Sequence, residues 1–394
     1  FAYLPRKFKI AINGSTSDRA AIEVHDIGLE PVYNAAGELG FRVLVGGGLG
    51  RTPVVGAFIN EFLPWQDLLS YLDAILRVYN RYGRRDNKYK ARIKILVKAL
   101  TPEVFAEKVE AEMAHLRGGQ TTLTDAEVHR VAKHFVDPDY KTLSNQDAEL
   151  AALDQQHPGF ARWRTRNTLA HKKPGYVAVT LSLKPTGVAP GDVTDKQFDA
   201  IADLADRYSF GQLRTSHEQN IILADVEQSQ LFTLWGELRE NGFATPNIGL
   251  LTDIICCPGG DFCSLANAKS IPIAESIQRR FDDLDYLFDI GELDLNISGC
   301  MNACGHHHVG HIGILGVDKK GEEFYQVSLG GSASRDASLG KILGPSFAQD
   351  DMPDVISKLI DVYVEQRTED ERFIDTYQRI GIDLFKERVY AANH

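Results

Sequence analysis

Cysteine is scarce in this sequence. Five residues among 394, an odd number, do not form the paired framework that staples small secreted domains. A reducing compartment is the expectation. No apolar run approaches the length that crosses a bilayer as a helix, and positive charge is in deficit, with a formal net charge of −11. Membrane insertion and wholesale nucleic-acid binding are therefore not expected, although an acidic total leaves room for a local basic pocket. No charged and apolar leader precedes Phe1-Ala-Tyr-Leu-Pro, which runs straight into strand-like sequence, so a cytoplasmic protein whose chain starts inside a longer one is expected. What is present, 43% hydrophobic and 25% charged residues, suits a globular chain long enough for several cores.

The chain repeats itself. Ile12-Asn-Gly-Ser15 resembles Ile297-Ser-Gly-Cys300, and Asp26-Ile-Gly-Leu29 resembles His311-Ile-Gly-Ile314, both at an offset of 285 residues. Phe41-Arg-Val-Leu-Val-Gly-Gly47 then matches Tyr325-Gln-Val-Ser-Leu-Gly-Gly331 one residue closer. Two helical pairings follow in the same order, Asp67 to Leu72 with Asp354 to Leu359 and Glu103 to Val109 with Asp383 to Val389. Kept order and register imply a duplicated strand, strand, helix, helix module over about 1–135 and 247–394. In the first copy Leu68, Leu69, Leu72, Ile75, Leu76 and Tyr79 recur at helical spacing and predict a buried stripe. Between the copies, Tyr176 to Leu183 alternates as a strand, Thr194-Asp-Lys-Gln197 offers a capping box, and Asn220 to Leu223 leads into a helix ending near Asn241-Gly242. Residues 171–246 thus read as half of a ferredoxin-like α+β sandwich, and 136–170, polar and weakly periodic, as a connector. The fold class is α+β, with the duplicated modules around that half domain.

Cys257-x5-Cys263 and Cys300-x3-Cys304 set two pairs of thiols on separate loops. Four soft ligands so arranged suit a cubane iron-sulfur cluster; a zinc site shared with His306 to His308, or buried structural thiols, are the alternatives. Zinc ribbons favour C-x2-C pairs, which weighs toward the cluster. Cys256 reads as a spare. Gly46-Gly-Gly-Leu-Gly50 fails as a dinucleotide loop because no βαβ unit supports it, and a tight turn is the better account. His306 to His308 and His311 read as hydrogen-bonding neighbours of the cysteine loop.

The run Cys257-x5-Cys263 with Cys300-Met-Asn-Ala-Cys304-Gly-His-His-His-Val-Gly-His-Ile-Gly resembles the signature of the sirohaem sulfite and nitrite reductases. The resemblance covers the whole chain. It implies that Cys257, Cys263, Cys300 and Cys304 hold a 4Fe-4S cluster, that Cys304 also ligates the sirohaem iron, and that a sandwich half should precede the first module. Copy one carries Ser15 and Arg19 where copy two has Cys300 and Cys304, so one active site per chain is implied. Tyr3 to Lys9 resembles the family segment whose lysines approach the substrate anion, here Lys7 and Lys9; a solvated strand edge is the bland alternative. Arg84, Lys88, Lys90 and Arg92, in the locally basic stretch from Arg81 to Arg92, are candidate partners of the sirohaem carboxylates, against an ordinary solvated helix face. Arg214, Gln219 and Asn220 fall in a segment resembling one beside the macrocycle.

The implied activity is six-electron reduction of sulfite to sulfide. Reduction of nitrite to ammonia is the nearest rival, and an iron-sulfur electron-transfer protein or a zinc-structured binding module are rivals of other classes. No flavin or nicotinamide motif is visible, so ferredoxin or a flavoprotein reductase is the expected donor.

Overall fold

The structure, a computed structural model, describes residues 1–335 and 337–391. It divides into two compact units: Phe1–Asp137 with Ser332–Leu339, and Pro138–Gly331 with the segment from Gly340 onward.

In the first unit, strands β1 (Ile10–Ile12), β2 (Ile27–Tyr33), β3 (Leu39–Val45) and β4 (Ala57–Pro64) form one sheet in that order, β1 parallel to β2 and the rest antiparallel. Strand alternation sends Ile27, Leu29, Val43 and Val45 to one face, and helices α1 (Leu68–Tyr82), α2 (Ile93–Leu100) and α3 (Pro102–Met113) bring the rest of that core; α4 (Asp125–Ala132) follows. The buried stripe of α1 keeps most of the expected residues. Ile75, Leu76 and Tyr79 are buried and are joined by Tyr71, Ala74 and Val78, while Leu68 and Leu72 pack partly buried against the same core and Leu69 is exposed. Positions 71, 74/75 and 78/79 keep helical spacing, which turns the added Tyr71 ring inward and Leu69 outward.

The second unit opens with the stretch read as a connector, which instead holds helices α5 (Asp147–Gln156) and α6 (Pro158–Asn167). Phe160 and Trp163 of α6 are wholly buried in the half-domain core, where Phe160 also meets Phe232 edge-on. Two large aromatics suffice to dock a helix whose polar residues obscure its period. Strands β5 (Thr168–Ala170), β6 (Tyr176–Leu181), β7 (Leu213–Thr215) and β8 (Ile221–Glu227) form an antiparallel sheet in the order β5-β6-β8-β7. Helices α7 (Asp195–Tyr208) and α8 (Leu231–Glu240) pack their apolar residues into the same core, and the capping box of Thr194 and Gln197 is present in both directions.

The remaining elements are β9 (Ile255–Cys256), α9 (Ile271–Arg280), α10 (Leu284–Ile290), β10 (Leu295–Ser298), β11 (Ile312–Lys319), β12 (Glu322–Leu329), β13 (Lys341–Ile342), α11 (Met352–Gln366), α12 (Phe373–Ile380) and α13 (Asp383–Tyr390). Their sheet runs β13-β12-β11-β10-β9. The duplication is visible element by element: β10, β11, β12, β13, α11, α12 and α13 repeat β1, β2, β3, β4, α1, α2 and α3, and α11 has the same 15 residues as α1 in length. Strand β9 has no counterpart among the described residues of the first copy.

Candidate functional site

Strand β9 lies parallel to β10 with Cys256 opposite Ile297, and the Cys257 N–H donates to the Ile297 carbonyl at 3.1 Å. Both cysteine loops therefore leave the carboxyl ends of adjacent parallel strands, where α/β sheets commonly open a site. Alternation turns Cys256 into the apolar core and Cys257 away from it. Burial pushes the Cys256 thiol far above its usual range, so it stays protonated. The Gly299 N–H donates to Cys257 Sγ at 3.1 Å, and Ser270 Oγ stands 3.6 Å from the same sulfur.

The first loop folds back to hold the second. Cys263 N–H bonds the Gly259 carbonyl at 2.9 Å, and the N–H groups of Asn267 and Ala268 both reach the Gly299 carbonyl, at 2.8 and 3.0 Å. Gly299 admits no side chain: a Cβ there would stand 2.6 Å from the Ala268 carbonyl oxygen and 2.7 Å from the Gly259 Cα. In the second loop, Ala303 and His306 adopt left-handed backbone (φ 57° and 55°), and the Gly305 N–H is held by Ser298 Oγ at 3.1 Å. Such backbone is costly for residues with a Cβ and recurs at functional sites.

Cys300 is buried, Cys257 and Cys263 are half-buried, and Cys304 is exposed, with Phe262, Leu265 and Met301 exposed on the same two loops. Three sheltered thiols and an outward fourth, edged by apolar side chains, fit a cubane whose last ligand also meets a flat macrocycle. Among the described residues no three His, Cys, Asp or Glu side chains converge on one point as a single ion would need. A cubane makes no such demand, since each thiolate binds a different iron.

The histidines divide. His311 Nδ1 accepts the Asp294 N–H at 3.1 Å, so it ties β11 to the start of β10. His307 is buried with neither ring nitrogen hydrogen-bonded, and burial, helped by the charges of His308 and His306, pushes it down to about 3, which keeps it neutral.

Of the half-domain residues, Arg214 is exposed and bonds Gln212 at 3.1 Å. Gln219 and Asn220 both spend their side-chain amides on protein partners. Both ends of the Gln219 amide bond the backbone of Cys256, and Asn220 is buried, donating to Asp253 and accepting from the Leu183 N–H. Asn220, buried and bonded on both sides of its amide, is structural, while Gln219 is half-buried.

In the first unit, Lys7 and Lys9 are exposed while Phe8 between them packs into the core. Arg84 is exposed and pairs with Asp86; Lys88 and Lys90 sit exposed on one turn of 3-10 helix. Arg92 is a correction. Its guanidinium grips the fully buried Asp26 carboxylate at 2.8 and 3.2 Å and the Leu49 carbonyl at 2.9 Å, which commits it to the fold. Sequence reasoning missed Lys94, buried and bonded to the carbonyls of Gly48, Leu49 and Thr52; burial pushes it down to about 8. Arg92 and Lys94 together explain the glycine-rich segment as a turn whose carbonyls face two cations.

The nitrite and sulphite reductase 4Fe-4S domain model matches residues 1–116 and 250–393, and the ferredoxin-like half domain model of the same enzymes matches 170–241. The chain belongs to the nitrite and sulphite reductase family. The family's cofactors, a 4Fe-4S cluster coupled to sirohaem, are the cofactors of this chain. Among its relatives, "Sulfite reductase (ferredoxin) 2" of Mycolicibacterium paratuberculosis is 28% identical over 97% of this chain and 63% of its own length. "Ferredoxin–nitrite reductase" of Synechococcus elongatus is 30% identical over 91% of this chain and 64% of its own length. The solved structure of the Mycobacterium tuberculosis NirA protein superimposes with a TM-score of 0.73 at 25% identity, covering 98% of this chain and 65% of that one. This chain thus spans a little under two thirds of these relatives. No helix of the described residues is long and apolar enough to cross a membrane.

Proposed function

We propose that this chain carries the catalytic centre of a sulfite reductase, in which Cys257, Cys263, Cys300 and Cys304 hold the 4Fe-4S cluster and Cys304 is shared with the sirohaem iron. The observation that carries this reading is the meeting of two cysteine loops at the ends of β9 and β10, three thiols sheltered and Cys304 outward. When bound, the coupled cofactors supply the electrons and the metal to which a small oxyanion binds. The protein itself shapes the cluster loops through Gly259 and Gly299, tempers thiolate charge through the Gly299 N–H, and receives the anion. Lys7 and Lys9 are proposed to receive it, because an ammonium group neutralises an oxyanion and can relay from solvent the two protons with which each oxygen leaves as water. Arg84, Lys88, Lys90 and Arg214, all exposed, are the candidate partners of the sirohaem carboxylates.

Ferredoxin is the proposed donor, in keeping with the names of both relatives. Nitrite is the second reading, favoured by the 30% identity to the Synechococcus elongatus enzyme. Reconstituted with iron, sulfide and sirohaem, the protein should show both haem bands and a cluster shoulder, and kcat/KM for sulfite should exceed that for nitrite. A visible spectrum without haem bands defeats the reductase reading, and the reverse kcat/KM order makes nitrite the substrate.

A further inference from the structure

Cys256 and Cys257 are chemically identical neighbours, and only the register of β9 decides which one faces the cluster loops. A slip of one residue would send Cys257 into the core and present Cys256 instead. The strand that must hold this register has two residues and one ladder neighbour, β10, so its outer edge needs other partners.

Gln219 supplies them. Its Oε1 accepts the Cys256 N–H at 2.7 Å and its Nε2 donates to the Cys256 carbonyl at 2.9 Å, the pair of bonds that one residue of a neighbouring strand would make. Its own backbone is left-handed (φ 58°), an uncommon state for a residue with a side chain. The flanking residues are anchored too. Lys184, wholly buried, bonds Asp253 Oδ1 at 2.7 Å and also the Glu218 carbonyl, while Asn220 Nδ2 reaches the same Asp253 oxygen at 3.0 Å. Buried ion pairs contribute little net stability against apolar replacements, and their best attested use is to fix register.

We propose that Gln219 is a positioning residue for the cluster: backed by Lys184, Asp253 and Asn220, its side-chain amide locks the register of β9 and so selects Cys257 over Cys256 as the ligand. This rests on the reading of Cys257 as a cluster ligand, and the test separates the two. In the cluster-free full chain, Gln219→Met keeps the side chain's length and removes both bonds. Hydrogen exchange at the Cys256 amide should rise roughly tenfold while amides of α11 stay protected. Gln219→Glu, which keeps the acceptor and loses the donor, should fall between the two; it also serves if the Met variant does not fold. After anaerobic reconstitution, Cys257→Ser should hold little iron, and the Gln219→Met/Cys257→Ser double variant should regain part of it, because a released strand can offer Cys256. Unchanged exchange at Cys256, or a double variant that binds no more iron than Cys257→Ser, overturns the clamp. Full iron in Cys257→Ser alone would instead overturn the ligand assignment, and the exchange result would still judge the clamp.

Discussion

The two copies of the repeat share strands, helices and register, and differ at the residues that do chemistry. At the end of the first strand copy two has Cys300 and Cys304, where copy one has Ser15 and Arg19; just before that strand copy one has Lys7 and Lys9, where copy two has Glu292 and Asp294. The loop geometry was kept while its anchor changed: Asn13 Oδ1 accepts the N–H groups of Ser15 and Arg19, and Ser298 Oγ, at the matching position, accepts that of Gly305. Asp26, gripped by Arg92, matches His311, and each accepts the backbone N–H of the residue 17 positions before it. The strand edges differ most. Ile10 and Ile12 are 40% and 58% exposed, whereas their equivalents Leu295 and Ile297 are 1% and 0% exposed; β9 pairs with the outer edge of β10, and no described strand pairs with that of β1. One scaffold can thus be duplicated whole and its chemistry divided by a few side chains at strand ends.

The comparison can be broken most decisively at the cysteines. Cys304→Ser should abolish anion reduction and the magnetic coupling of haem to cluster, read by electron paramagnetic resonance, while Ser15→Cys with Arg19→Cys should leave iron content unchanged. Retained coupling in the first variant would remove Cys304 from the bridge. Next come the lysines of copy one. Lys7→Ala and Lys9→Ala should lower turnover by roughly 10²-fold or more, as loss of a charge-stabilising group does, and shift unfolding by under about 0.5 kcal/mol; wild-type kinetics would return both to the solvated edge.

Packing offers the third contrast. Ile297→Ala should cost about 2–5 kcal/mol, as core truncations do, and Ile12→Ala less than about 0.5 kcal/mol, as exposed substitutions do. Equal costs in denaturant unfolding would mean that the two edges are alike. Arg92→Ala should cost about 3–5 kcal/mol because it strands the buried Asp26 carboxylate, while Arg372→Ala, which loses the part-exposed Asp375, should cost at most about 1 kcal/mol. The last contrast is pH-dependent. His307 is pushed down to about 3 in the folded chain from an ordinary 6.5, so the unfolded chain binds its proton first. Stability should be full above about 6.5 and fall as pH drops toward 3, and His307→Phe should flatten that slope in an acid titration of the cluster-free protein.

Much of the molecule was legible along the chain alone. The constant offset of the repeat, the capping box of Thr194 and Gln197 and the spacing of the four cysteines are local patterns, and each appears in the structure as an element or a loop. Helix α6 was not legible, because its burial depends on Phe160 meeting Phe232 and Trp235, some 70 positions away. Arg92 was misplaced for the same reason: a basic run reads as surface until one of its members finds a buried carboxylate from another element.

By itself the sequence determined the α+β class, the duplication, the half domain between the copies, and the set of thiols that can take a cluster, since periodicity and ligand type are written along the chain. Tertiary structure alone decided that Cys256 is core and Cys257 is presented, that Gln219 bonds the Cys256 backbone and Asn220 bonds Asp253, and that Arg92 and Lys94 hold a turn. These are matters of register and burial. A buried polar group must find its partner wherever the fold places one, and that partner is usually remote in sequence.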